Sequence, residues 1–307
     1  MVTLEEPTVD QKNCVKKYEK TLKIISFDEL RSMLFNVYEY INIREKRPFG
    51  SVYNHVGDTF EVPFNDFVEQ TLSKEGYSED VKLDDLYERL LNGGKFILTA
   101  DYGVGKSMLL REIFRRYCGD IRKKNIFRIP VVLNLRDHMG QADHIELLER
   151  HARSVGIDPR KLVSAWAAGY IDLLIDGFDE LSTRGWTGDP KKIKEYRRSV
   201  HSVIRKLIKG TPSKSAIIIA GRSAYFDSLI EMREALGTPL NKFEHILIQP
   251  FDAKQAAQFL NKKGFSGSLP DWVPTRPLLL NYLVTKGLLQ SAVTAEVIPP
   301  ENKGLQK

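Results

Sequence analysis

A glycine pair, a lysine and a serine stand together between a strand-like run and an amphipathic helix. The run covers residues 96–99, and the residues after it are Ala100, Asp101, Tyr102, Gly103, Val104, Gly105, Lys106, Ser107 and Met108. Glycines let backbone N–H groups approach phosphate oxygens closely, and the helix N-terminus adds positive potential. This is the pattern of a Walker A loop, and it predicts that residues 100–108 bind a nucleoside triphosphate.

Two side chains of this loop have expected roles. Lys106 should reach the β- and γ-phosphates as a mobile cation, and the Ser107 hydroxyl should join the shell of a Mg²⁺ ion. One position departs from the pattern, because Ala100 stands where the first glycine usually does. The alanine methyl group is small, so we treat this as a mild deviation.

Acidic residues follow a second strand-like run. Residues 171–175 read as a short buried strand, and Asp176, Asp179 and Glu180 come directly after it. A strand that ends in an acid downstream of a Walker A loop is the Walker B arrangement. It places the Asp176 carboxylate beside the phosphate loop, where it holds Mg²⁺ through water or Ser107. Asp179 or Glu180 is then placed to polarise an attacking water as a catalytic residue.

Three further runs rich in β-branched residues cover 130–135, 216–220 and 246–248, and helical segments separate them. This alternation predicts an α/β fold of the P-loop NTPase type, a three-layer architecture with a parallel sheet between helices. In such a sheet, ligands collect at the carboxyl ends of the strands. Arg222 follows the run 216–220 at that edge, so we expect it to sense the γ-phosphate.

Helical segments flank the predicted sheet on both sides along the chain. Ser26 and Glu29 form a capping-box pattern that predicts one helix with Leu30, Met33, Leu34, Val37 and Ile41 on its apolar face. Asp252 caps a later helix, and a second helix follows Pro277, so the two predict a small lid over the nucleotide. The resulting division is 1–50 helical extension, 51–250 nucleotide-binding domain, 251–290 helical lid and 291–307 tail or linker.

The bulk composition indicates a folded chain without choosing an enzyme class. The 307 residues are 42% hydrophobic and 28% charged, enough to bury a substantial core. The sequence has two cysteines without a CxxC pair, and it shows no secretory signal and no apolar run of bilayer length. These features favour a cytoplasmic protein without membrane contact. The net charge is +6, but the basic clusters alternate with acids, so nucleic-acid binding is the weaker alternative to solvated helix faces.

The combination of motifs resembles a known family. A Walker A loop followed by the run Asp-Gly-Phe-Asp-Glu-Leu at 176–181 is similar to the NACHT group of STAND NTPases, the nucleotide switches of innate-immune receptors and antiphage proteins. The resemblance covers residues 60–286 and includes Arg222 as sensor 1 and the segments 249–252 and 276–278. It implies that Pro277 lies against the adenine and that ATP or ADP is bound with Mg²⁺.

The resemblance also implies a function. NACHT proteins couple their ATP or ADP state to self-oligomerisation and signalling, so we expect a slow ATPase switch in antiviral or antiphage defence. Family receptors add an N-terminal effector, a winged-helix domain and a C-terminal sensor array, which we expect to be missing from this chain. Residues 14–50 resemble the linker between effector and core, and the chain is read as a fragment, a solo core or a truncated product.

The main alternative is a turnover ATPase of the AAA type, a motor or remodelling machine. Such a machine needs an arginine finger from a neighbour, and Arg197, Arg198 and Arg205 on a basic helical segment are the candidates. GTP is less favoured than ATP, because the segment 241–244 resembles a guanine motif but precedes its strand and ends in Glu244. The six histidines have no metal-ligand spacing.

Overall fold

Strands and helices alternate over most of the chain. A computed structural model describes residues 1–18, 21–46, 67–76, 80–124, 126, 128–181, 190–267, 269–270 and 272–289. In chain order the elements are β1 (Val2–Thr3), α1 (Val9–Lys16), β2 (Ile25–Ser26), α2 (Phe27–Leu34), α3 (Val37–Lys46), β3 (Leu72–Lys74), β4 (Asp80–Val81), α4 (Leu83–Leu91), β5 (Lys95–Ala100), α5 (Lys106–Arg122), β6 (Ile129–Asn134), α6 (His144–Ser154), α7 (Pro159–Ala167), β7 (Ile171–Asp176), α8 (Pro190–Val200), α9 (Ser202–Gly210), β8 (Ile217–Arg222), α10 (Leu229–Leu236), β9 (Glu244–Ile248), α11 (Ala253–Lys262) and α12 (Pro277–Thr285).

The central sheet has the strand order β4-β3-β9-β5-β8-β7-β6 within the described ranges. Strands β9 to β6 run parallel, while β3 pairs antiparallel with β9 and β4 pairs antiparallel with β3. The predicted α/β P-loop NTPase fold is therefore confirmed, with helices flanking a mostly parallel sheet. The antiparallel pair β3 and β4 was not predicted, because strands this short carry almost no periodic signal.

Burial in the parallel strands explains their composition. Every residue of β6 and β7 is buried, as expected for parallel strands covered on both faces. One of them is a carboxylate: Asp172 in β7 accepts hydrogen bonds from the Tyr117 hydroxyl (2.9 Å) and the Ala216 N–H (2.6 Å). Burial raises the pKa of Asp172 to about 6. These partners let a polar group occupy the centre of the sheet.

The strand register brings the predicted functional residues to one edge. Ala100 at the end of β5 pairs with Arg222 at the end of β8, and Asp176 at the end of β7 pairs with Ala220. All three strands run in the same direction, so their carboxyl ends lie together. The glycine-rich loop, the acids after β7 and Arg222 therefore start from adjacent positions.

The N-terminal helix prediction was wrong in one respect. Instead of one helix, the chain forms α2 and α3, because Phe35 adopts an extended backbone and buries its ring. Ser26 caps α2 as expected, through a 3.1 Å bond from the Glu29 N–H. However, Leu30 and Met33 are exposed, since the break turns their face of α2 away from the core that Phe35 and α3 share.

A second, smaller hydrophobic core lies around the two helices after the sheet. Asp252 caps α11 through a full capping box with Gln255, and Phe259 of α11 packs with Leu280 of α12. Val68, from the segment before β3, joins the same cluster. The domain division at 50, 250 and 290 remains a prediction; the boundary at 50 and the tail 291–307 lie outside the described residues.

Candidate nucleotide-binding site

The phosphate loop has the backbone that its glycines predict. Gly103 has φ +75° and Gly105 has φ +118°, both in the left-handed region that side chains disfavour. A Cβ at Gly105 would also lie 3.0 Å from the Gln70 amide nitrogen. Helix α5 begins at the next residue, so its unpaired N–H groups and positive dipole end face the loop.

Lys106 lies folded back over this loop. Its Nζ donates to the carbonyl oxygens of Ala100 (3.0 Å) and Asp101 (3.2 Å). Burial lowers the pKa of Lys106, and the nearby charges of Asp179 and Asp176 oppose this shift. Within the described part of the chain, this partly buried ammonium group donates to neutral carbonyls. It can exchange them for an anion, because a bond between opposite charges is stronger than a bond from a cation to a neutral oxygen.

Ser107 and Asp176 form a direct pair at the base of the loop. The Ser107 hydroxyl donates to Asp176 Oδ2 at 2.6 Å. Asp176 is 4% exposed, and burial raises its pKa to about 6, with a further rise from the charge of Glu180. A buried hydroxyl and carboxylate at this distance supply the oxygen ligands that Mg²⁺ prefers.

Arg222 is paired with an acid of the Walker B run. Its Nε lies 2.9 Å from Asp179 Oδ2, and its backbone N–H donates to Asp179 Oδ1 at 3.1 Å. The guanidinium also lies over the ring of Tyr102, 4.9 Å from the centroid. The arginine side chain is 45% exposed, so it remains accessible to a ligand at the loop.

Packing beneath the acids fixes their orientation. The ring of Phe178 lies against Gly221, where an added Cβ would come within 2.5 Å of it, so the glycine before Arg222 makes room for the Walker B turn. The buried His201 contacts the Phe178 carbonyl through Nε2 at 2.9 Å. Burial and the charge of Asp179 raise the pKa of Glu180, the last acid of the turn.

Helix α12, which was predicted to belong to a lid, contacts the phosphate loop directly. The Leu278 N–H donates to the Gly103 carbonyl at 3.1 Å. On the neighbouring side, Arg276 lies 3.3 Å from Asp101 Oδ2, and Ser223 Oγ donates to Asp101 Oδ1 at 3.4 Å. Asp101 therefore links the lid to the end of β8.

A cavity of about 240 Å³ lies between the loop, the acids and the lid. Most of the predicted site residues line it: Tyr102, Gly103, Val104, Gly105, Lys106, Ser107, Met108, Asp176, Asp179, Glu180, Arg222 and Pro277. Ala100 and Asp101 do not line it. Ala100 is buried at the end of β5 and contributes its carbonyl oxygen, while Asp101 points to Ser223 and Arg276.

One wall of this cavity was not predicted from the sequence. Phe67, Val68 and Gln70 line it from the segment before β3, and the buried Gln70 amide donates to the Val104 carbonyl. Phe251 and Phe259 complete the apolar side. The adjacent apolar residues Phe67 and Val68 are the local sequence feature that indicates a buried segment here. The contact between Gln70 and the loop could not be predicted, because it depends on how the chain folds back.

The chemistry of the cavity-lining residues fits a nucleotide bound with magnesium. The loop backbone and Lys106 present donors, Ser107 and Asp176 present oxygen ligands, and Pro277 and the aromatic wall present an apolar surface. Mg²⁺ typically binds through one or two protein groups together with phosphates and water. When bound, the ion would draw negative charge from the phosphates and polarise the bond to the terminal phosphate.

The structure also shows where several histidines and the segment 241–244 lie. His138, His151, His201 and His245 are buried in the protein interior, and the described residues contain no cluster of three potential metal ligands. Segment 241–244 was expected to precede its strand, but Glu244 is the first residue of β9. Its carboxylate pairs with Lys74 at 3.2 Å and with Arg89. Across the described ranges, no helix has the length and hydropathy needed to cross a membrane.

Most residues of this site lie in a segment that is similar to a known domain. The profile of the NACHT domain matches residues 96–266, more than half of the chain. No curated protein matches the chain. Among solved structures, 52 chains match, including the ORC1 protein of Aeropyrum pernix in complex with DNA, with 14% identity and a TM-score of 0.46. That match covers 74% of this chain and 66% of the ORC1 chain. The protein belongs to the NACHT domain family of P-loop NTPases.

Proposed function

We propose that this protein is an ATP- and ADP-binding switch in which the lid reports which nucleotide is held. The observation that carries the proposal is the hydrogen bond from the Leu278 N–H to Gly103 O in the phosphate loop. This bond and the Arg276–Asp101 pair join the lid to residues that surround the phosphates. A change at the phosphates therefore acts directly on the position of the lid.

The terminal phosphate is the group that distinguishes the two states. Lys106 would bind it together with the β-phosphate, and Ser107 and Asp176 would hold Mg²⁺ beside it. Arg222, paired with Asp179 at 2.9 Å, would transfer to the γ-phosphate, because the terminal phosphate carries more negative charge than one carboxylate and also accepts charge-assisted bonds from arginine. The transfer would release the Asp179 carboxylate.

Slow hydrolysis would reset the switch. Glu180 and the released Asp179 are the acids that would orient and polarise the attacking water. The raised pKa of Glu180, caused by burial, favours its action as a proton acceptor near neutral pH. Following the family resemblance, we place lid opening upstream of self-oligomerisation and of signalling in antiviral or antiphage defence.

The binding site is tested with Lys106→Ala and a matched control, Lys161→Ala. Lys161 is an exposed lysine of α7 away from the cavity. Isothermal titration with ATP and Mg²⁺ should give a loss of tight binding only in the Lys106 variant, since the cation nearest the phosphates is removed. Unchanged ATP affinity in Lys106→Ala would contradict the site.

The rate of ATP hydrolysis distinguishes the proposed switch from a turnover ATPase. A switch should hydrolyse ATP well below about 1 per second without a trigger, whereas working enzymes reach that rate or exceed it. Mass spectrometry of nucleotide released from the denatured protein supplies the second measurement. Copurified ADP supports the resting switch, and fast turnover with no retained nucleotide supports a motor or remodelling machine.

A further inference from the structure

The lid helix α12 carries an amide within an apolar run. Its residues are Pro277, Leu278, Leu279, Leu280, Asn281, Tyr282, Leu283, Val284 and Thr285. Asn281 is a poor helix former relative to leucine, and its side chain makes no hydrogen bond to any residue that the structure describes. A polar residue that weakens its own helix and has no protein partner suggests a ligand.

Asn281 faces the same cavity as Pro277. The two are four residues apart in α12 and therefore lie on one face of the helix, and both line the cavity above the phosphate loop. Leu280, between them, is fully buried in the core of the lid. The helix is thus held in place by Leu280 while Asn281 is presented to the ligand.

The cavity has a phosphate end and an apolar end. Its charged and hydroxyl side chains come from the loop, the Walker B turn and Arg222. Apart from Val104 and Met108 of the loop, the apolar lining comes from Phe67, Val68, Phe251, Phe259, Pro277 and Leu278. On the lid side of this wall, Asn281 is the polar side chain among the described lining residues. The Gln70 amide is already bonded to the Val104 carbonyl.

We propose that Asn281 is the residue that selects adenine, by reading the N6 and N7 edge of the base. The inference rests on the proposed function, since it needs a nucleotide at the phosphate loop. The amide oxygen accepts from the 6-amino group and the amide nitrogen donates to N7, the bidentate pairing that asparagine makes with adenine. Guanine presents two acceptors, O6 and N7, on that edge, so one amide then satisfies only one of them.

The magnitude follows from the lost pairing. A good bidentate pair discriminates between bases by roughly 5- to 150-fold. We expect the protein to bind ATP at least about tenfold more tightly than GTP. We also expect 7-deaza-ATP, which has carbon in place of N7, to bind several-fold more weakly than ATP.

The test is a titration of ATP, GTP and 7-deaza-ATP, each with Mg²⁺, into the full chain and two variants. Asn281→Ala removes the amide, and Asn261→Ala is the control, an exposed asparagine of α11 that does not line the cavity. Asn281→Ala should lose about tenfold in ATP affinity, lose less in GTP affinity, and bind ATP and 7-deaza-ATP equally. Asn261→Ala should behave as the unaltered chain.

Each outcome is decisive. Equal binding of ATP and 7-deaza-ATP by the unaltered chain overturns the assignment, and this arm needs no variant to fold. An unchanged ratio of ATP to GTP affinity in Asn281→Ala also overturns it and leaves the proposed switch standing. If the unaltered chain binds none of the three nucleotides, the proposed function fails together with the base assignment.

Discussion

Replacing Asp176 with asparagine should stabilise the nucleotide-free protein and remove its response to magnesium. Asp176 is 4% exposed, and burial raises its pKa from 3.8 to about 6. Because the folded state binds this proton more tightly than the unfolded state, ionising the group destabilises the fold. The destabilisation is absent at a pH below the unfolded value and complete above the folded one. Asparagine keeps the shape and an acceptor for Ser107 Oγ but carries no charge.

The pKa shift sets the size of the effect. About two pKa units correspond to an upper limit of about 3 kcal/mol near pH 7.5, and about half of that remains near pH 5. The buried Arg111 loses a favourable interaction with Asp176 in the variant, so we expect a net gain of about 1–3 kcal/mol near pH 7.5. At about 2 °C per kcal/mol, the melting temperature should rise by a few degrees.

The assay is thermal unfolding at both pH values, with and without ATP and Mg²⁺. Asp179→Asn is the matched control, since its carboxylate is paired with Arg222 at 2.9 Å and its loss should not stabilise the protein. In Asp176→Asn, Mg²⁺ should add nothing to the stabilisation by ATP. A variant less stable than the parent near pH 7.5, or a gain that is larger near pH 5, would refute the reasoning.

Three further changes test the site and its surroundings. Gly105→Ala should abolish tight ATP binding, because the Gly105 φ of +118° is unfavourable for a residue with a side chain and the added Cβ would lie 3.0 Å from Gln70. A titration that shows unaltered ATP affinity would count against the loop geometry. Arg222→Ala should cost about 1–3 kcal/mol of stability, since it removes a partner of the Asp179 carboxylate, which is only 6% exposed. It should also reduce the ratio of ATP to ADP affinity, and an unchanged ratio excludes γ-phosphate sensing. Burial, with the charges of Arg150 and Arg44, lowers the pKa of His138 from 6.5 to about 4. As the pH drops through this range, the unfolded state takes up the proton first, so stability should fall by up to about 3 kcal/mol. Urea titrations of His138→Gln should show a weaker acid loss, and parallel curves for both proteins would disprove this cause.

Local patterns were sufficient for the site's individual parts. The phosphate loop is a contiguous motif, and its glycines adopt the left-handed backbone that they imply. Asp176 ends strand β7 and Asp179 and Glu180 follow it, as the sequence pattern predicted. The N-terminal helix shows the limit of such patterns. Its apolar spacing continued past Phe35, but burial of the Phe35 ring ended α2 and left Leu30 exposed.

The sequence by itself determined where the phosphate-loop and Walker B motifs lie, because those motifs depend on neighbours only a few positions apart. Only the tertiary structure decided what surrounds them. Gln70 reaches the Val104 carbonyl, Arg222 pairs with Asp179, and Leu278 bonds to Gly103 across long stretches of chain. These contacts arise from the parallel register, which aligns strand ends, and from the apolar core that seats the lid. Neither is encoded in a short window of sequence.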